Sequence, residues 1–593
     1  MELTSDVAEA VTIALSRGRS RLAVSGPRSL AVGVHGSHVL VGPLVARDGL
    51  GGCADCALAW WSDVSPHTAG GPPVDTGLDW APVVRAMVAR VLADPPGLWR
   101  RAVLVLDRDS GQLTLHRFLV HPACVACANP AKPPEPLDLR TPQPAVAGPL
   151  RTRGFDRETL REHLLDPRFG PVAHVARDEE SPLALVTAQT AVPGRSRRES
   201  GTGRAPTFAA SEVPAILEGL ERALGGYRRP AVPVVVASWR EVAHLAVDPR
   251  ALGEHEPSLL ARGTGYEQFE TSSATSWVWA RSTLHDRAVL VPEHVAYWHE
   301  RGVGSRFVAE SSNGCAVGGS REEAVLHGLL EVIERDAFLL AWYARARLVE
   351  VQPADDGELA AQRDVLAARG LHLRVLDLTS DFQVPVALAV VTADEETVRS
   401  GQAPALSLAS SAAADPLTAI QEAVEACVTK AVMHTTWVRR RESLPVEQCR
   451  PLLEDFDLVQ THEDHTGLHG LWESRGLWEF LEHPAGTITE AELCARPRLA
   501  TGDVALALRQ LLERTHMLGM DVVVVDQSAP ELVDALGLHA VKVLVPGTVP
   551  LTFGHRHRRT VGIPRLARAA SILEGAVPWD DDPRPNPVPH PFP

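Results

Sequence analysis

The 593-residue sequence predicts a mixed chain, α/β to α+β, with a small cysteine-bearing domain, a long second domain and a proline-alternating tail. Three observations carry that reading. Strand-like apolar runs and amphipathic helical segments mix along most of the chain. Residues 128–149 are proline-rich and lack apolar periodicity, which marks a linker. The length also exceeds what one core holds, because single cores stop growing near roughly 250–300 residues.

The elements follow in order. Leu22-Ala23-Val24, Ser37–Val41 and Ala102–Leu106 read as strands, and Val84, Met87, Val88 and Val91 give a helix around 83–92 its apolar stripe. The first domain with its linker is expected over 1–147, the second over 148–577 and the tail over 578–593. Residues 191–208, polar and rich in Gly and Arg, read as a loop within the second domain. No internal repeat is found.

Composition excludes several classes. A 45% apolar, 22% charged chain is neither disordered nor fibrous. A formal charge of −16 argues against nucleic acid as a partner, since phosphates need a basic footprint. No apolar run is long enough to span a bilayer, and the acidic start with Glu9 does not fit a secretory signal. A soluble cytoplasmic protein is expected, with no membrane partner. Lysine occurs only at Lys132, Lys430 and Lys542, so anions must be met mainly by Arg, backbone N–H groups or metal.

Cys53-Ala-Asp-Cys56 and Cys124-Val-Ala-Cys127 offer four thiolates in two knuckles, which suits tetrahedral Zn²⁺. Free buried cysteines are the alternative. Structural zinc is the reading adopted, because four thiolates leave no open position for catalysis.

Three predicted helices place carboxylates three residues apart. In the first, Ser211 is the expected N-cap, Pro214 falls in the first turn, and Glu218 and Glu221 share a face. In the second, Glu323, His327, Glu331 and Glu334 fall within an arc of roughly 80°. The surroundings of that arc are apolar, so its carboxylates need cations between them. The third opens at Asp415-Pro416 and carries Glu422 and Glu425. Solvated helix faces remain the alternative for the first and third pairs. Ser320 with Glu323 also fits a capping box, and Arg222 and Arg335 fit i,i+4 pairing with Glu218 and Glu331. Glycine-rich turns at Ser200–Arg204 and at Ser311–Gly314, the latter continuing to Gly318-Gly319, precede the first two helices. Such turns expose N–H groups toward phosphates, and with the carboxylates they suggest a Mg²⁺–nucleotide site. A P-loop is excluded, since no Gly-x-x-x-x-Gly-Lys-Ser/Thr element occurs.

Ser312-Asn313-Gly314 followed by Glu323-Ala-x-x-His327-Gly-Leu-Leu-Glu331-x-Ile-Glu334-Arg335-Asp336 closely resembles the YcaO superfamily, and the likeness extends over about residues 150–593. The resemblance implies a YcaO-type ATP-binding domain without a Walker motif. Carried over, Glu218, Glu221, Glu331 and Glu334 would hold Mg²⁺. Ser312, Asn313, Glu323, Arg335, Glu422 and Glu425 would bind ATP. Two departures stand out: many members have Lys and Ser where this chain has Thr202 and Pro214, and Arg204 is the candidate replacement cation. Many members also have Gln at the position of Glu425.

The alternating prolines Pro585, Pro587, Pro589, Pro591 and Pro593 resemble the tail of azoline-forming members, where it reaches toward the active site. A disordered solubilising tail is the alternative. The carboxylate of Pro593, with Arg335, is the candidate catalytic group. The first domain resembles a truncated ThiF-like (ubiquitin-activating-enzyme-like) domain. It has no Gly-x-Gly-x-x-Gly turn, so adenylation is not expected. Its shortness implies a separate ThiF-like partner that captures the precursor peptide, as in thiopeptide-type systems. A homodimer is left open. The activity implied is ATP-dependent cyclodehydration of Cys, Ser or Thr in a ribosomal precursor peptide of an antibiotic-type pathway. The alternatives are a thioamide- or amidine-forming enzyme and a degenerate docking scaffold. The basic loop Gly554–Arg559 reads either as a solvated loop or as an anion contact.

Overall fold

The computed structural model describes residues 5–592 apart from 18, 25–27, 47–51, 65–77, 128–132, 149, 182, 195–197, 301, 355–356 and 440–444. The first sheet has five antiparallel strands in sequential order: β1 (Arg19–Val24), β2 (Arg28–His35), β3 (His38–Ala46), β4 (Ala102–Asp107) and β5 (Leu113–Arg117). The helices here are α1 (Ser5–Arg17), α2 (Ala54–Val64) and α3 (Ala81–Ala93). The expected stripe of α3 is buried, and it packs with α1 on one sheet face. On the other side Trp60, Trp61, Phe118 and the cysteines form a core that also takes in Phe169, Ala173 and Ala191. The two halves of the chain therefore share apolar packing.

Residues 133–148 lie along the second unit without strand or helix, as the proline content implies. Asp138 N and Gln143 Nε2 donate to Glu322 at 2.8 and 3.0 Å. Helix α4 (Arg157–Leu164) leads into a three-stranded antiparallel sheet, β6 (Val172–Asp178), β7 (Ala184–Ala191) and β8 (Arg198–Ala205). Helix α5 (Phe208–Gly226) lies on it. A six-stranded sheet contains β9 (Val235–Ser238), β10 (Ala274–Ser282), β11 (Arg287–Pro292), β12 (Cys315–Gly318), and two later strands, 523–526 and 539–544. Helix α6 (Arg321–Tyr343) covers it. A five-stranded sheet holds β13 (Val349–Gln352), β14 (Leu371–Asp377), β15 (Val386–Ala393), β16 (Leu406–Ala412) and β17 (Gly486–Thr489). Helix α7 (Pro416–Arg439) covers β15 and β16. Strands pair antiparallel in these sheets except β13 with β17, so the architecture sits at the α+β end of the expected class.

Several expectations are corrected. Residues 198–205 are not loop or turn but strand β8. Gly201 and Gly203 serve close packing: a Cβ on Gly203 would lie 1.8 Å from Ser211 O, and one on Gly201 2.1 Å from Gly219 N. Periodicity missed this strand because glycine leaves no apolar alternation. Helix α5 begins earlier than expected, with Thr207 as N-cap accepting from Ala210 N. Pro214 consequently falls in the helix interior on an exposed face, a position that ordinarily costs about 3 kcal/mol. Ser211 is no cap; its Oγ donates to Thr207 O at 2.9 Å. Gly318 closes strand β12 rather than a turn.

The proline tail is threaded into the protein. Asn586 N donates to Tyr343 O at 2.8 Å, and Trp342 Nε1 donates to Val588 O at 2.9 Å. On helix α8 (His462–Gly470), His469 Nε2 meets Pro589 O at 2.7 Å and His465 Nδ1 meets His590 O at 2.6 Å. His465 Nε2 accepts from Gly554 N, so its Nδ1 carries the proton. Phe592 is 4% exposed. The disordered-tail reading does not hold for residues 585–592. Pro593 lies outside the described residues. The basic loop is not solvated either: Arg559 is buried and bonds Glu310 and the carbonyls of Ala309 and Gly253.

Candidate nucleotide and metal sites

Each of the three larger sheets that follow residue 170 carries one carboxylate-bearing helix, α5, α6 or α7. On α5, Glu218 accepts from Thr202 N at 2.5 Å and from Arg222 Nη2 at 2.7 Å, the expected i,i+4 pair. Glu221 has no hydrogen-bond partner among the described residues. Burial, then the charges of Glu331 and Glu218, push its carboxyl well above the ordinary range. A carboxylate from α5 thus faces one from α6.

Helix α6 begins at Ser320, whose Oγ accepts from Glu323 N at 3.1 Å. The capping box is half made. The Glu323 side chain does not return to Ser320; it is fully buried and accepts from Arg151 Nη1 at 3.0 Å, Thr152 N at 2.8 Å and Thr152 Oγ1 at 2.5 Å. Burial alone would raise its pKa, but the Thr152 bonds and Arg151 outweigh it and hold the carboxyl below the usual range. His327 leaves the charged arc: burial, then Arg151, lowers it to about 3, and Nε2 meets Leu150 O. Glu331 accepts from Gly314 N at 3.1 Å and from Arg335 Nη2 at 3.4 Å. Glu334 accepts from Ser410 Oγ at 2.6 Å and pairs with Arg335. Burial raises its carboxyl against the pull of Arg335.

The Ser312-Asn313-Gly314 turn meets this helix directly. Gly314 has φ +82°, and a Cβ there would lie 2.2 Å from Val543 O, so only glycine fits. Ser312 O accepts from Cys315 N at 2.8 Å, and Asn313 is 9% exposed with Oδ1 unpartnered among the described residues. On α7, Asp415 caps Thr418 N as expected. Glu422 accepts from Ser411 Oγ at 2.7 Å, while Glu425 takes an exposed bond from Gln421. Asp336 stands apart from the cluster, bonded to Val549 N and Arg565.

Two groups were not singled out as site residues from sequence. Arg151, just past the linker, bonds Glu323 and its charge reaches Glu221 and Glu422. Phe592 lies over the Arg335 guanidinium at 4.2 Å. Neither belongs to a spaced motif, so only the tertiary structure reveals them. The donor set suits a magnesium nucleotide. Carboxylates of α5 and α6 face each other, Arg151 and Arg204 link those of α7 to them, and Arg204 Nε, Arg335 Nε and Asn313 Oδ1 are buried without a partner among the described residues.

The cysteine quartet is the more closely gathered set: among the described residues it alone brings three or more His, Cys, Asp or Glu ligand atoms close enough together to hold one ion. The four Sγ atoms lie within 4.8 Å of one another, with Cys53 at 3.8 Å from Cys56 and 3.6 Å from Cys124. A tetrahedron with Zn–S near 2.3 Å requires S···S of about 3.8 Å.

Comparison with known proteins follows this geometry. The family model described as YcaO cyclodehydratase, ATP- and Mg²⁺-binding, matches residues 202–549, a span holding all three helices. A heterocyclase solved in complex with substrate and cofactor superposes with TM-score 0.71 at 21% identity, covering 98% of this chain and 79% of its own. The heterocyclase TruD gives TM-score 0.64 at 21% identity, with 99% and 77% covered. An uncharacterized protein of Methanothermobacter thermautotrophicus is 29% identical over 355 residues, 58% of this chain and 80% of that one. The structural likeness establishes a shared fold across nearly the whole chain, the cysteine-bearing unit included.

Proposed function

We propose that this chain, which belongs to the YcaO family, is an ATP-dependent cyclodehydratase that converts Cys, Ser or Thr residues of a precursor peptide to thiazolines or oxazolines. The observation that carries the reading is the convergence of Glu218 and Glu221, Glu331 and Glu334, and Glu422 around Arg151, Arg204 and Arg335. When bound, Mg²⁺-ATP supplies the phosphoryl group that turns the peptide carbonyl oxygen into a leaving group.

The chain's own residues do the rest. Glu218, Glu221, Glu331 and Glu334 hold the metal, and Ser312, Asn313 and Glu422 shape the nucleotide seat. Glu323 holds Arg151 and Thr152 in place, and Glu425 is directed toward Arg204. Arg335 neutralises Glu331 and Glu334 and presents its remaining N–H to the reacting phosphoryl group. The tail brings Phe592 onto Arg335, so the Pro593 carboxylate is proposed to take up the proton lost by the attacking thiol or hydroxyl. At the two departures, Thr202 still contributes its backbone N–H to Glu218, and Pro214 lies on the exposed face of α5. That favours an enzyme over a docking scaffold.

The cysteine-bearing unit (1–147) is proposed as a truncated ThiF-like module with structural Zn²⁺ on Cys53, Cys56, Cys124 and Cys127. The catalytic domain is proposed over 148–577, acting with a separate ThiF-like partner that presents the precursor. One experiment tests the reading: chain, partner and precursor are incubated with Mg²⁺-ATP and the peptide is weighed. Loss of one water per ring is expected. Exchange of oxygen for sulfur or nitrogen would point instead to thioamide or amidine formation, and unchanged mass with tight partner binding to a scaffold.

A further inference from the structure

Lys430 is one of only three lysines in the chain. It projects from α7 two turns beyond Glu422 and is partly buried. Its one hydrogen bond is long, 3.5 Å to Leu408 O, and it forms no ion pair with a carboxylate among the described residues. Lys542 shows how this fold treats a buried lysine with nothing else to meet: its ammonium donates to Ser311 O at 2.6 Å and pairs with Glu310 at 3.6 Å. Lys430 has no such arrangement. It lies 5.8 Å from the centroid of the Phe592 ring, which also carries the Arg335 guanidinium at 4.2 Å. The charged and titratable groups facing it are Arg204 from β8, Arg335 and Glu334 from α6, and Cys427 on its own helix.

Three cations therefore gather at one end of the carboxylate cluster. Two of them, Arg204 and Arg335, keep a buried Nε without a partner among the described residues. Arg335 is paired with Glu331 and Glu334 and Arg204 lies near Glu218 and Glu425, but each buried Nε–H left over is costly until an oxyanion accepts from it. A phosphate has the acceptors such donors lack.

We propose that Lys430 is a phosphate-binding residue which, with Arg204 and Arg335, forms a three-cation seat for the triphosphate of the nucleotide. The inference rests on the nucleotide-site reading above. Burial and then Arg204 lower the Lys430 ammonium to about 7, so the free protein holds it partly neutral near pH 7 and an arriving phosphate recharges it.

The probe is a non-hydrolysable ATP analogue with Mg²⁺, its binding followed calorimetrically from about pH 7 to about pH 9. Wild-type affinity is expected to fall about tenfold per pH unit above the lysine's free value, with proton uptake on binding. Lys430→Arg is expected to bind without that fall, because arginine stays charged. It leaves every other titrating group, the phosphate included, in place. Lys430→Met is expected to bind about tenfold more weakly at pH 7, also without the slope. A lysine that is merely structural would change affinity without changing the slope. A flat wild-type profile, or Lys430→Met equal to wild type, overturns the proposal and leaves the nucleotide site standing. If wild type binds no analogue at any pH, both fall together.

Discussion

Replacing Glu323 separates two roles that the motif alone merges, contact with the nucleotide and support of the groups around it. Its carboxylate is fully enclosed and accepts three hydrogen bonds, all from Arg151 and Thr152. Hydrogen bonds to a charged acceptor contribute about 1.5–3 kcal/mol each, but burying the ion offsets much of that. Arg151 is 41% exposed at its side chain, so when released it reaches water and loses little. Thr152, half-buried, loses the acceptor of both its N–H and its hydroxyl. Glu323→Ala should therefore destabilise by about 3–5 kcal/mol, as expected when one partner of a buried pair is removed. Glu323→Gln keeps shape and one acceptor and should cost about 1–2 kcal/mol. Urea unfolding gives the stability change from the midpoint shift at constant slope. Because Glu323 touches no other carboxylate, Glu323→Gln should weaken Mg²⁺-nucleotide binding by less than about tenfold, whereas Glu331→Gln should abolish it. A Glu323→Ala loss below about 1 kcal/mol, or loss of nucleotide binding in Glu323→Gln, would refute the reasoning and make Glu323 a direct ligand.

Three further outcomes follow from other parts of the molecule. His469 and His590 are held by burial at about 3 and about 4, well below the unperturbed value. The undocked tail therefore binds protons first: its docking is complete above about pH 6.5 and weakens by about 1.4 kcal/mol per histidine per pH unit below that, seen as rising carboxypeptidase access. Cys53→Ser should lower zinc, counted by elemental analysis, from one per chain toward none, and loosen the core containing Trp60, Phe118 and Phe169. Asp336→Ala strips Arg565 of one of its two carboxylates and Val549 N of its acceptor, so it should destabilise by about 3–5 kcal/mol, read as a lowered melting midpoint.

How legible the site was depends on the kind of signal. The α6 carboxylates could be read because a helix repeats every 3.6 residues, so Glu331 and Glu334 share a face wherever that helix packs. The start of α7 could be read from Asp415-Pro416, since capping is local chemistry. The strand at 198–205 could not, because glycines that let β8 approach α5 erase the alternation a strand normally shows. Pro214 misled the boundary of α5 for a related reason: local preference places proline in a first turn, and tertiary packing extended the helix past it.

Local order along the chain was thus enough to specify the carboxylate pairs, the thiol knuckles and a few of the elements, since each depends on neighbours within a few positions. Only folding decided that Glu221 would face Glu331 across two helices, that Glu323 would turn away to hold Arg151, and that Phe592 would close on Arg335. Those contacts join residues up to hundreds of positions apart. Their geometry is set by how three sheets pack, which no short window of sequence contains.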